Sequence, residues 1–131
     1  MLQIRNAILA SNFKDLKKYK LIQNIFNGSY SDIIDSDEML LLSVLSLFEI
    51  RKKLAKNKID ISKIVKSMEF IKKRSLILPV SEEISEKAVN LSFENDLAII
   101  DSLIYATSII NESILITLDN DFRGLKDVIV M

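Results

Sequence analysis

Short apolar runs alternate with amphipathic stretches along most of the chain. Residues 2–10 are apolar except for Gln3, Arg5 and Asn6, and they predict a first strand running into a helix. Residues 14–26 place Leu16, Tyr19, Ile22, Ile25 and Phe26 on one face at helical spacing, and Asn27-Gly28-Ser29 supplies a stop. Met39 to Val44 is long enough for a buried strand. Ser46 is then the candidate cap of a helix through Leu47, Ile50 and Leu54, with Arg51, Lys52, Lys53 and Lys56 outside. Asp60 or Ser62 can cap another helix, through Ile64, Val65, Met68 and Ile71. Leu76-Ile77-Leu78, before Pro79, predicts a second buried strand. Residues 81–94 predict a helix with Ile84, Ala88, Leu91 and Phe93 inward, and a further helix covers Asp101 to about Ile110. Ile114 to Leu118 and Val128 to Val130 predict the last two strands.

This alternation predicts an α/β fold in which a central parallel sheet of about four to five strands carries helices on both faces. No repeat or linker interrupts the pattern, so residues 1–131 are expected to form one domain. In open sheets of this kind, sites form beyond the carboxyl ends of the strands. Asp119 lies just past such an end, Glu49 lies early in the helix after the 39–44 strand, and Asp101 lies at or near a helix start. Carboxylates set among apolar residues are costly unless paired, hydrogen-bonded or metal-bound. Each taken alone has a plainer explanation: Asp101 as a helix cap, Asp119 and Asp121 as turn residues, Glu49 as a solvated helix residue.

Composition narrows the chemistry. The 131 residues contain neither cysteine nor histidine, which excludes disulfides, thiolate chemistry, serine–histidine triads and histidine metal sites. The remaining oxygen-rich donors favour Mg²⁺ or Mn²⁺. No apolar run is long enough to span a membrane and the N-terminus lacks a secretory layout, so a cytoplasmic protein is expected. The formal net charge is zero, but residues 1–80 hold 15 Lys/Arg against 8 Asp/Glu, and residues 81–131 hold 3 against 10. A basic part beside an acidic part suits a polyanion held near an acid-lined metal site, and it equally suits ordinary solvated helix faces.

The segment Asp101-Ser102-Leu103-Ile104-Tyr105-Ala106-Thr107, followed by Ile114-Leu115-Ile116-Thr117-Leu118-Asp119-Asn120-Asp121-Phe122, resembles the C-terminal signature of PIN-domain nucleases. Ser46-Leu47-Phe48-Glu49-Ile50 resembles the middle motif of that family, and Gly124-Leu125 with Val128-Ile129-Val130 fits its close. The resemblance covers roughly residues 36–131 and implies a PIN-like fold. It also implies metal-dependent RNA cleavage of the VapC toxin type, an antitoxin-like protein partner and a homodimer. It would make Glu49, Asp101 and Asp119 catalytic metal ligands. Asp121 would be a further ligand, a supporting group or a turn residue, and Thr117 would orient water or a carboxylate. Lys52 or Lys53 could contact phosphates, although no motif selects them.

The family opens with a strand ending in an Asp, expected here near residues 4–10, yet the first acidic residue is Asp15. Arg5 or Asn6 stands near the expected place, and Asn6 offers a neutral oxygen. The alternatives are an active nuclease, a degenerate PIN fold that binds RNA or protein without cutting, and a chain whose true first strand lies upstream of Met1. A phosphoryl-accepting receiver domain is disfavoured, because it needs an acidic pair after the first strand.

Overall fold

The computed structural model describes residues 6–8, 19–22 and 39–130. In chain order the elements are β1 (Asn6–Ile8), β2 (Tyr19–Ile22), β3 (Leu40–Ser43), α1 (Val44–Lys56), α2 (Ile61–Arg74), β4 (Ser75–Leu78), α3 (Glu82–Asn95), α4 (Ile99–Ile110), β5 (Ser113–Thr117) and β6 (Val128–Val130). A single 3₁₀ turn, Asn120–Phe122, lies between β5 and β6.

The α/β architecture with a largely parallel sheet is as the hydrophobic pattern predicts. β2 pairs in parallel with β3 and with β5, β3 with β4, and β5 with β6. The short β1 runs antiparallel to β2 and β5. All residues of β3 (Leu-Leu-Leu-Ser) and β5 (Ser-Ile-Leu-Ile-Thr) are buried, as expected of strands covered on both faces. The core joins these strands to Ile50 and Leu54 of α1, Ile64 and Ile71 of α2, Ile84, Ala88 and Leu91 of α3, and Ile104 and Ala106 of α4.

Several local expectations are corrected. Tyr19–Ile22 is a strand, not part of a helix over 14–26. Its helical spacing is outweighed by partners distant in sequence, Leu40 and Leu41 on one side and Ser113 and Ile116 on the other. The rest of residues 14–26, and most of 2–10, lie outside the described residues. The cap of α1 is Ser43, whose Oγ accepts from the Leu45 amide at 3.1 Å; Ser46 sits inside the helix, fully buried. β4 is only half-buried, with Leu76 turned outward. Phe93 is 83 % exposed rather than inward.

Two devices fix the C-terminal third. Ser108 Oγ donates to the Ser113 carbonyl at 3.0 Å, and Ser113 Oγ donates to the Ser108 carbonyl at 2.9 Å, which clips the end of α4 to the start of β5. Phe122 is wholly buried, and Tyr105 meets it edge-on with ring centroids 6.3 Å apart. The Tyr105 hydroxyl donates to the Lys126 carbonyl at 2.8 Å, and burial raises its pKa above the usual value. The 3₁₀ turn after β5 is thereby anchored on α4. Phe122→Ala is expected to lower unfolding stability by about 3–5 kcal/mol, and Tyr105→Phe by about 1 kcal/mol, as measured by urea titration followed by circular dichroism.

Candidate metal centre

The carboxyl end of β5 brings the acids together. Thr117 closes β5, fully buried, and its Oγ1 accepts from the Asp119 amide at 2.9 Å. Asp119 in turn caps the 3₁₀ turn, its Oδ1 accepting from the Asp121 amide at 2.9 Å. Asp101 approaches from the first turn of α4, whose cap position is Ala98. It is therefore not the helix cap that it would be in isolation. The positive end of that helix favours a carboxylate there.

Asp101, Asp119 and Asp121 each present a carboxylate oxygen within 4.8 Å of the others. Asp101 and Asp119 are half-buried and Asp121 is exposed. Two carboxylates about 4 Å apart repel by about 1 kcal/mol in water and by about 4 kcal/mol near a protein surface. A divalent cation relieves that repulsion, and ligands on opposite sides of such an ion stand roughly 4 to 5 Å apart. The all-oxygen donor set and its spacing fit a hard cation.

Glu49 lies outside this closest group. It stands on α1, half-buried with its Oε1 shielded from solvent, and shares with Asp119 a cleft of about 750 Å³. The same face of α1 adds Phe48, Lys52, Lys53 and Lys56 to the cleft wall, and α4 adds Ile100. Residue spacing selects neither Phe48 nor Lys56 from sequence. Lys56 follows once Glu49 fixes which face of the helix meets the cleft, because residues three, four and seven apart share a face, and Phe48 borders that face one residue before Glu49.

The sequence matches the PIN domain family over residues 21–128. The chain belongs to the PIN domain family. Among solved structures it is similar to a toxin–antitoxin complex from Klebsiella pneumoniae, at 25 % identity and a TM-score of 0.58, over 67 % of this chain and 70 % of that one. No curated protein matches. Among the described residues no helix is long and apolar enough to cross a membrane.

The match begins at residue 21, so residues 2–10 lie outside it, and within it β2 pairs in parallel with both β3 and β5. Ile22, the last residue of β2, is level with Ile116, one residue before Thr117. The residues that follow Ile22 in sequence are the amides Gln23 and Asn24. Asn6 opens β1, opposite Ile22, outside the matched residues. Substituting Asp101 by Asn is expected to weaken Mn²⁺ binding roughly tenfold or more, measured by titration calorimetry, while substituting the exposed Glu112, on the turn before β5, by Gln leaves it unchanged.

Proposed function

We propose that this PIN domain is a Mg²⁺- or Mn²⁺-dependent endoribonuclease acting as the toxin of a toxin–antitoxin pair in the cytoplasm. The observation that carries this reading is the meeting of Asp101, Asp119 and Asp121 at the carboxyl end of β5, in a chain of this family. The likeness to a toxin–antitoxin complex supports an antitoxin-like partner. A homodimer is proposed on the family resemblance.

In this reading Asp101 and Asp119 hold the cation, Asp121 completes or supports the set, and Glu49 acts from the facing wall of the cleft. A bound divalent cation would supply charge neutralisation at the scissile phosphate and activation of water. Thr117 contributes by holding the Asp119 backbone, so that the carboxylate is set before substrate arrives. Asn6, the first residue of β1, would offer a neutral oxygen, and Gln23, which follows Ile22 in sequence, is the alternative to it.

A second reading is favoured by one observation, that amides rather than an acid follow β2 in sequence. Here the domain binds RNA or a partner protein without cutting. The two readings separate in one assay. Incubation with single-stranded RNA and millimolar Mn²⁺ should give cleavage that is lost with EDTA and falls at least roughly a hundredfold in Asp101→Asn and in Glu49→Gln. Cleavage unchanged by both substitutions would sink the assigned site, and no cleavage by the parent chain would favour the binding module. In that event Gln23→Asp should strengthen Mn²⁺ binding and restore cutting if the missing charge is the cause.

A further inference from the structure

We propose that Phe48 is a stacking platform for a base of single-stranded RNA, with Lys52 and Lys56 holding the neighbouring phosphates. This inference rests on the nuclease reading and adds how its substrate lies. Phe48 is 64 % exposed, although it stands beside the half-buried Glu49 and lines the cleft that also contains Asp119. A large ring left in water inside a charged cleft gains nothing for folding, and it is the group that recovers most on covering a base.

The positions along α1 define a direction. Phe48, Lys52 and Lys56 recur every four residues and so form one stripe, with successive members about 6 Å apart along the helix axis. The acidic end of the cleft is at Glu49 and Asp119; the lysines continue toward the C-terminal end of α1. A strand with its reacting phosphate at the carboxylates would therefore meet the ring first and the ammonium groups next. The ring needs a base free of its neighbours, which a duplex does not offer. Alternating stacking and phosphate contacts mark single-strand recognition.

The observations favour RNA over a protein ligand in this cleft. An apolar protein anchor would use the ring but would leave Lys52 and Lys56 unused unless it also carried acids, and those acids would be repelled by Glu49 and Asp119. A nucleotide strand satisfies the ring and the lysines together, and a cation shields its phosphate at the acidic end.

The test is fluorescence anisotropy of a labelled single-stranded oligoribonucleotide in millimolar Mn²⁺ with the full chain carrying Glu49→Gln, which keeps the cation carboxylates Asp101 and Asp119 while slowing cutting. Phe48→Ala should weaken binding roughly tenfold, Phe48→Tyr should restore it, and neither should change the salt dependence. Lys52→Ala and Lys56→Ala should each weaken binding and lower the slope of log affinity against log salt by about 0.7. Duplex RNA should bind more weakly than the single strand and should not respond to Phe48→Ala. An affinity unchanged in Phe48→Ala would overturn the proposal and leave the ring as a protein contact. A Glu49→Gln chain that binds no RNA in Mn²⁺ would overturn it as well. Cleavage that still depends on Asp101 would then show that the nuclease reading survives the failure of this one.

Discussion

The mutual repulsion of Asp101, Asp119 and Asp121 is the constraint on which the rest of the structure turns. Three carboxylate oxygens within 4.8 Å of one another repel, and a bound cation would relieve that repulsion. The fold holds them in place. Thr117 and Asp119 fix the backbone at the end of β5, the 3₁₀ turn presents Asp121, and the first turn of α4 presents Asp101. The positive end of α4 offsets part of the charge, and a divalent cation would offset the remainder.

Apolar packing provides the rigidity that this crowding demands. β5 is buried along its whole length, Phe122 is buried in the turn that carries Asp121, and Tyr105 ties α4 to that turn through its ring and to Lys126 beyond it through its hydroxyl. The reciprocal Ser108 and Ser113 hydrogen bonds hold the other end of the α4–β5 connection. Gly124, with φ of 88°, lets the chain turn back toward β6 in a conformation that other residues rarely adopt. The acids are thus borne on a buried, hydrogen-bonded part of the chain, and the basic wall of the cleft is left to α1.

Much of the C-terminal region was legible before the structure. β5 is a run of apolar and small residues with a carboxylate just past its end, and α4 carries its acid in its first turn, so strand-end chemistry and the family signature pointed to the same residues. Capping was harder to read. In Leu42-Ser43-Val44-Leu45-Ser46 either serine could begin the helix, and the choice of Ser43 is made by the strand register, which pairs Ser43 with Leu78. Tyr19–Ile22 was hidden for a related reason: four residues inside a helically spaced stretch become a strand only through partners a dozen or more positions away. The cleft wall was illegible because a lysine-rich helix face looks the same whether it faces bulk water or a site.

The central claim is that the carboxylates are held against their own repulsion for the sake of a cation, and thermal unfolding tests it most directly. In EDTA, Asp101→Asn should melt at a higher temperature than the parent, because one member of the repelling set loses its charge. In millimolar Mn²⁺ the parent should gain several degrees, since an ion bound only by the folded state stabilises it, and Asp101→Asn should gain little. A parent chain whose melting temperature ignores Mn²⁺, together with an Asp101→Asn variant that is less stable in EDTA, would contradict the account and make the three acids an ordinary turn.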